Sequence, residues 1–320
     1  MKLLVVILNY KTADLTLRTL DAVVAQLDQV GGASQAWVVD NCSPDDSVAV
    51  LRAGLAARSY GERVRLLESP RNGGYGAGNN LAFREASKLA DPPTYYHVLN
   101  PDATPDPGTL RCLVEFMDAN PRVGIAGGLL RYPDGRLQCS TFRFPSLLSE
   151  VDSYLRLGFV TRLLREHTLY MDPPPPTSRP VDWVSGASFV VRREALDRAG
   201  MFDETFFLYF EEIDLCRRVR AAGYSIHFVV DATVCHVNAV STGMTLPQQR
   251  MPEYWFASRR HYLRKFHGAV GLAAFNVVAL MCLALQRTRQ AIGGTAVDTP
   301  FFLRDFVRFN FFGRRAGIDH

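Results

Sequence analysis

The sequence predicts an α/β fold in which helices cover both faces of a doubly wound, mostly parallel sheet. Short β-rich runs alternate with helix-length amphipathic stretches through the first 127 residues, which is the pattern of consecutive βαβ units. The runs are nearly continuous in apolar residues, as in LLVVIL near the N-terminus, and this favours strands buried on both faces. With 320 residues, the chain is long enough to bury a large core.

The elements of this first half follow one another at regular spacing. Strands are predicted at 3–8, 36–39, 64–68, 95–99 and 123–126, and helices between them at 14–29, 47–58, 77–89 and 107–119. Ligands of such sheets bind at the carboxyl ends of the strands. The residues that directly follow each strand are therefore the first candidates for a functional site.

The alternation ends after residue 127. A hairpin turn is predicted at 133–135, and an irregular segment then runs to four consecutive prolines that begin at Pro173. This part is completed by two strands at 181–185 and 188–191, a short helix near Glu194, and a strand at 226–229 followed by the segment ATVCHVN.

The C-terminal region from Met251 differs in character and is predicted to be a helical appendage. Its apolar run GAVGLAAFNVVALMCLAL is about long enough to span a bilayer, but Asn276 and the small residues at its start weaken it as a span. Basic and aromatic residues flank the run, which favours a helix lying at an anionic membrane surface. The alternative is a pair of helices that cover the core or form a homodimer interface.

Composition and cysteine usage exclude several classes. The formal charge of +4 is small for this length and does not support a nucleic-acid binder. The six cysteines are scattered without zinc-ligand spacing, so we expect free thiols in a reducing, cytoplasmic compartment. Asn9, Lys11 and Asp14 interrupt the N-terminal apolar run too early for a signal peptide, and we interpret it as the first strand.

Two polar segments after strands suit a nucleotide. Asp40 can accept a hydrogen bond from a base or ribose, and an Asx turn is an equally good interpretation. The glycine-rich stretch from Arg71 to Asn80 lets backbone amides approach a phosphate or base, although it could also be a plain connection. It is no dinucleotide fingerprint, because the third glycine position is Asn79 and the loop follows the third strand.

Three further groups of residues are candidates for metal binding or for general base catalysis. Asp102, in Asn100-Pro101-Asp102, can bind a divalent cation, while the alternative is a turn. His236 can be a second metal ligand or a hydrogen-bonded structural residue. The carboxylates of the sequence FEEID follow several aromatic residues. Packing against aromatic rings would desolvate a carboxyl, raise its pKa and make that carboxyl a usable general base. Helix stability alone would also explain an acidic first turn.

Together these segments resemble family 2 glycosyltransferases with the GT-A fold, and among them the bacterial rhamnosyltransferases. The resemblance covers about residues 1–240 and rests on VVILNYKTADLTLRTLDAV, VVDNCSPDDS, NGGYGAGNN with LNPD, and WVSGASFVVRREALDRAGMFDETFFLYFEEIDLCRRVRAAGY, in that order. Asn100 stands where the family has the first aspartate of its D-x-D motif. Glu211-Glu212 resembles the family's E-D motif, with glutamate at the second position.

The resemblance implies a role for each candidate residue. The nucleotide-binding set would be Asn9, Tyr10, Asp40, Asn72, Gly73, Gly74, Asn79 and Asn100. Mg²⁺ or Mn²⁺ would be held by Asp102 and His236, and the acceptor by Trp183, Ser185 and Gly186. The general base would be Glu212, with Glu211 and Asp214 as alternatives.

The implied reaction is a metal-dependent, inverting transfer of L-rhamnose from dTDP-L-rhamnose to a hydroxyl of a saccharide or polyprenyl-linked saccharide in cell-surface polysaccharide synthesis. The same chemistry with UDP-galactofuranose, UDP-glucose or UDP-N-acetylhexosamine is the nearest alternative, and a non-catalytic membrane-associated scaffold with a degenerate site is another. The expected domains are 1–240, with a nucleotide-sugar half at 1–127 and an acceptor half at 128–240, followed by 241–320. The expected location is the cytoplasm, peripheral at the inner membrane face.

Overall fold

A computed structural model of the protein describes residues 1–237, 250–293 and 299–312. Most of its strands form one mixed β-sheet. The strands are β1 (Leu3–Asn9), β2 (Ser34–Asp40), β3 (Val64–Glu68), β4 (Tyr95–Leu99), β5 (Ala103–Pro105), β6 (Val123–Arg131), β7 (Leu137–Gln138), β8 (Thr141–Phe142), β9 (Arg179–Val181), β10 (Trp183–Val184), β11 (Ser188–Arg192) and β12 (Ser225–His236). The main sheet has the order β3-β2-β1-β4-β11-β6-β12-β5, and β8 pairs with β10 in a small second sheet.

The main sheet is mostly parallel, as predicted. β3, β2, β1 and β4 are parallel neighbours, and β6 is parallel to β12. Between them β11 runs antiparallel to both β4 and β6. The predicted hairpin at 133–135 joins β6 to β7, which pair antiparallel.

Helices cover both faces of the sheet. They are α1 (Ala13–Val24), α2 (Ser47–Ala56), α3 (Gly74–Ser87), α4 (Thr109–Ala119), α5 (Leu147–Leu155), α6 (Gly158–Leu163), α7 (Arg193–Ala199), α8 (Glu211–Ala221), α9 (Glu253–Ala291) and α10 (Phe302–Val307). Successive side chains of a strand point to opposite faces, and β1 shows the result. Leu4 and Val6 belong to a core that includes Phe83 of α3, whereas Leu3 and Val5 belong to a core that includes Leu110 of α4.

The structure corrects three details of the sequence-based prediction. The segment before the prolines is not wholly irregular, because it contains α5 and α6. Ser146 begins α5 with a capping box whose partner is Ser149, and this serine replaces the Glu or Gln that makes such a box conspicuous in a sequence. The first helix ends at Val24 rather than at residue 29. The predicted strand at 226–229 and the segment after it form one strand, with a register shift between Val229 and Thr233.

The C-terminal region is helical, as predicted, and α9 packs directly on the α/β body. Ser258 donates to the Leu208 carbonyl at 3.0 Å, and Lys265 lies 2.6 Å from Asp214. Gly268, with φ 66° and ψ −172°, separates two helical parts of α9. The predicted domain boundary at residues 240 and 241 lies outside the described residues, and so do the arginines of the terminal GRRAG.

α9 also contains the apolar run identified in the sequence. It is the one helix of the described residues with the length and composition to cross a membrane, with an 18-residue stretch of mean hydropathy 2.2 that is 28% buried. A core helix of a water-soluble protein meets the same two criteria.

Candidate active site

A cavity of about 670 Å³, the first cavity, lies where the sequence predicts a site, at the carboxyl ends of β1, β2 and β4. Most of the predicted site residues line it: Tyr10, Asn72, Gly74, Asn100, Asp102, Ser185, Gly186, Glu211, Glu212 and His236. Residues that are more than 100 positions apart in the chain therefore meet in one cavity.

A carboxylate and an imidazole face each other on one side of the first cavity. Asp102 Oδ1 lies 3.4 Å from His236 Nε2, and both side chains are buried. Gln138 fixes the histidine, because its amide donates to the His236 carbonyl at 2.6 Å and its Oε1 therefore faces His236 Nδ1 at 3.0 Å. A proton on Nδ1 leaves Nε2 as a lone-pair donor directed at the carboxylate.

This pair fits a divalent cation. A carboxylate oxygen suits Mg²⁺ or Mn²⁺, and an imidazole nitrogen beside it could add a second ligand. Among residues 1–237, 250–293 and 299–312 no third His, Cys, Asp or Glu completes a ligand group with them. Such a cation would therefore take its remaining ligands from substrate phosphates and water, as Mg²⁺ commonly does.

Glu211 and Glu212 enter the first cavity from the first turn of α8. Burial raises the pKa of Glu212 to about 7, despite backbone N–H groups that act in the opposite direction. Burial, and next the charge of Glu212, raise the pKa of Glu211 well above its ordinary value. Within the described part of the chain, Oε2 of each residue is buried without a hydrogen-bond partner. Burial thus favours the protonated form of both carboxyls, and Glu212 can ionise near neutral pH.

The turn before α8 orients the carboxylates of Glu211 and Glu212. Tyr209 and Phe210 both adopt left-handed backbone conformations, with φ 69° and 72°. Each costs about 1–3 kcal/mol for a non-glycine residue, and such strain concentrates at functional sites. The third carboxylate of the segment, Asp214, lies outside the cavity. It is fully buried between Arg218, at 2.7 Å, and Lys265, at 2.6 Å.

The glycine-rich loop forms another wall of the first cavity. Tyr75 N–H donates to the Phe207 carbonyl at 2.9 Å, and this contact brings the loop against the aromatic segment before α8. Gly74 has φ +85°, and an added Cβ would lie 1.9 Å from the Phe207 oxygen. Glycine is therefore required here by both its conformation and the close approach. Asn72 lines the cavity and its Oδ1 accepts from Gly74 N–H at 3.1 Å.

Several residues predicted for the nucleotide lie behind the wall instead. Asn9 Nδ2 donates to Asp40 Oδ1 at 2.7 Å, and Ser43 N–H, three residues on, donates to Asp40 Oδ2 at 2.9 Å, so both carboxylate oxygens of Asp40 have partners within the protein. Asn79 is buried inside α3, where its Nδ2 donates to the Tyr75 carbonyl at 3.0 Å. These three side chains do not line the first cavity, and neither does Gly73.

Asn41 lines the cavity and was not among the predicted residues. Its Nδ2 donates to Asn72 Oδ1 at 2.9 Å and to the Gly74 carbonyl at 3.1 Å. Its Oδ1 is buried with no hydrogen-bond partner among the described residues, which leaves it able to accept from a ligand. The sequence signal was its position directly after β2, beside Asp40.

The three predicted acceptor residues divide between two cavities. Ser185 and Gly186 line the first cavity, and the Gly186 carbonyl accepts from the Tyr75 hydroxyl at 2.5 Å. Trp183 lies instead on a second cavity of about 750 Å³, which also includes Glu212 in its lining.

Known proteins are similar to this chain in sequence and in architecture. The model of Glycosyl transferase family 2 matches residues 4–198. The N-acetylglucosaminyl-diphospho-decaprenol L-rhamnosyltransferase of Mycobacterium tuberculosis is 33% identical over 208 residues, which are 62% of this chain and 68% of that protein. Rhamnosyltransferase WbbL of Escherichia coli is 29% identical over 160 residues, which are 49% of this chain and 58% of that protein.

Among solved structures, the mannosyltransferase PcManGT from Pyrobaculum calidifontis, in complex with GDP-Man and Mn²⁺, has the same fold. It superposes with a TM-score of 0.57 at 17% sequence identity, over 92% of this chain and 76% of that chain. The chain has the GT-A fold and belongs to glycosyl transferase family 2, as a glycosyltransferase of the rhamnosyltransferase-like kind.

Proposed function

We propose that this enzyme transfers L-rhamnose from dTDP-L-rhamnose, with inversion and with Mg²⁺ or Mn²⁺, to a hydroxyl of a polyprenyl-linked saccharide. The acceptor class follows the relative from M. tuberculosis, which is named for N-acetylglucosaminyl-diphospho-decaprenol. One observation carries the proposal. The first cavity brings Asp102 and His236, 3.4 Å apart, together with a carboxyl of raised pKa, Glu212.

The residues around the first cavity supply positions for a nucleotide. Tyr10, Asn41 and Asn72 lie at the ends of strands or in the glycine-rich loop, where the GT-A fold receives the nucleotide of a sugar donor. The free Oδ1 of Asn41 would accept a hydrogen bond from the base or the ribose, in place of Asp40. Asp40 would act indirectly, by holding Asn9 and the ends of β1 and β2 together.

The proposed reaction is a single displacement. Glu212 takes the proton of the acceptor hydroxyl as that oxygen bonds to the anomeric carbon. The bond between the anomeric carbon and the diphosphate oxygen breaks, and its electron pair leaves with the diphosphate. Asp102 and His236 would hold the divalent cation, which stabilises the charge of the departing diphosphate. Because only ionised Glu212 is a base, transfer should rise with pH towards about 7 and then level off.

The donor is tested by comparing transfer from dTDP-L-rhamnose with transfer from UDP-galactofuranose, UDP-glucose and UDP-N-acetylglucosamine. Each assay is run with Mn²⁺, with Mg²⁺ and after chelation with EDTA. We expect turnover with dTDP-L-rhamnose that requires the cation. Faster turnover with a UDP-sugar would replace rhamnose in the proposal, and undiminished turnover in EDTA would remove the cation from it.

We also propose that the enzyme acts in the cytoplasm, at the inner face of the membrane. Exposed apolar residues of α9, such as Met281 and Leu285, are accompanied by Arg287, and this combination suits a contact with anionic lipid. Sedimentation with vesicles of anionic phospholipid, compared with neutral vesicles, tests the contact. Equal recovery in the supernatant with both kinds would contradict it, and a dimer found by light scattering would favour an interface between copies instead.

A further inference from the structure

The second cavity shares two lining residues with the first. Tyr209 and Glu212 border both, so one carboxyl is reached from two sides. Much of the rest of the second cavity is lined by residues of α5, α6, α9 and α10 together with Trp183 of β10. Its volume of about 750 Å³ is comparable with the 670 Å³ of the first cavity and is large enough for a sugar unit.

The lining of the second cavity combines aromatic rings with hydroxyl groups. The rings include Tyr154, Tyr170, Trp183 and Trp255, and Ser153 and Thr161 contribute hydroxyl groups. Flat aromatic faces cover the apolar face of a sugar ring, and nearby hydroxyls can hydrogen-bond the sugar's own hydroxyl groups. The lining is therefore suited to a saccharide.

The buried charges of the second cavity are balanced. Arg259 is 2% exposed, and its guanidinium lies 2.5 Å from a Glu150 carboxylate oxygen and donates to Asn276 Oδ1 at 2.7 Å. Since Glu150 neutralises Arg259, this pair offers no net positive charge for a phosphate. An uncharged sugar ring therefore suits the part of the cavity beside this pair.

Two helices that line the second cavity, α5 and α6, carry exposed apolar residues. Gly158 and Thr161 of α6 line the cavity, while Phe159 and Leu163 of the same helix are 64% and 80% exposed. Leu147 of α5 is also exposed. Singly exposed apolar residues need no explanation, but these lie on the cavity's own helices, where a hydrocarbon chain attached to the bound sugar could pack.

We propose that the second cavity is the acceptor site, in which the sugar of a lipid-linked saccharide lies against the aromatic lining with its reacting hydroxyl at Glu212. The lipid then leaves along the exposed apolar sides of α5 and α6. This inference rests on the proposed function and adds to it the elements that hold the acceptor. In the transfer, the hydroxyl proton passes to Glu212 through the second cavity, while the donor's diphosphate departs in the first.

The test uses two variants of the full chain and two matched controls. Ser153→Phe places a ring in the cavity from α5, and Tyr170→Ala removes a 55% exposed ring from its lining. Ser87→Phe on the exposed end of α3 and Tyr132→Ala in the β6–β7 turn make the same changes away from both cavities. The probe is N-acetylglucosaminyl-diphospho-decaprenol in detergent micelles.

Binding is measured without turnover through tryptophan fluorescence. Two of the three tryptophans, Trp183 and Trp255, line the second cavity, whereas Trp37 lies in β2. We expect saturable quenching by the probe in the wild type and in both controls. In Ser153→Phe the probe should bind at least about tenfold more weakly, while calorimetric binding of dTDP changes less than about twofold. Tyr170→Ala should raise the KM for the probe with a smaller effect on kcat.

The outcomes separate the two proposals. Equal probe binding in Ser153→Phe and Ser87→Phe, or no quenching of the wild type, overturns the assignment of the second cavity even if transfer occurs. If the wild type binds the probe and Ser153→Phe does not, the assignment is supported. If that same wild type transfers no sugar from any donor, the proposed function fails while the cavity assignment stands.

Discussion

Glu212→Gln should inactivate the enzyme and stabilise it at the same time. Burial raises the pKa of Glu212 from its ordinary 4.5 to about 7, so ionising this carboxyl disfavours the folded state. Each pKa unit corresponds to about 1.4 kcal/mol, and the difference of about 2.5 amounts to about 3 kcal/mol. This contribution to the free energy of unfolding is fully present below pH 4.5, falls as the pH rises towards 7, and is lost above pH 7. Because glutamine does not ionise, the variant keeps the contribution at every pH.

Urea unfolding at pH 5 and pH 8, together with a transfer assay, measures both effects. At pH 8 we expect Glu212→Gln to exceed the wild type by about 3 kcal/mol in free energy of unfolding, and at pH 5 by about 1 kcal/mol. Transfer should fall by about 10²- to 10⁴-fold, the usual contribution of a general base. Glu211→Gln is the matched control. Burial raises the pKa of Glu211 as well, so the control should also gain stability between pH 5 and pH 8, but it should keep transfer within about tenfold because Glu212 is still present.

The reasoning fails if Glu212→Gln gains no stability at pH 8, or if its gain is the same at pH 5. Such a result would mean that the carboxyl of Glu212 is not desolvated in solution. An exchange of activity between the two variants, with Glu211→Gln inactive and Glu212→Gln active, would instead identify Glu211 as the base.

Three other substitutions test separate parts of the structure. Asp102→Ala should reduce Mn²⁺-dependent transfer by about 10³-fold with an unchanged circular dichroism spectrum, and a smaller loss than tenfold would argue against a cation there. Gly74→Ala forces a methyl group against the Phe207 carbonyl, so we expect weaker dTDP binding by calorimetry and a loss of at least about 2 kcal/mol in unfolding. Arg259→Met leaves Glu150 buried without its partner and should cost about 3–5 kcal/mol in urea unfolding, most of which the added change Glu150→Leu should restore.

The sequence predicted the sheet well because strand patterns are local. β3 and β4 agree with their predicted ranges at both ends, since each is a short β-rich run with turn residues beside it. β12 was predicted only at 226–229 because its register shift interrupts the apolar alternation near Asp231. α5 was missed because its cap uses two serines, a pattern that is common in loops.

The site was predicted only as a set of strand ends and motif positions. The sequence could not determine which of Asp40 and Asn41 faces the first cavity, because neighbouring residues at a strand end point in opposite directions. It also could not reveal the second cavity. Trp183 and Trp255 lie 72 positions apart in the chain, and only tertiary packing brings them together at this cavity.

The left-handed turn at Tyr209 and Phe210 limits how this enzyme can be engineered. Glycine at either position would relieve backbone strain and would be an obvious choice for raising thermal tolerance. Yet Tyr209 borders both cavities and Phe210 borders the second. The same replacement would therefore remove a side chain that lies between the first cavity and the second. Water could then reach the sugar donor beside Glu212, and hydrolysis would compete with synthesis. At these two adjacent residues, a substitution that raises thermal stability would therefore also favour hydrolysis over transfer.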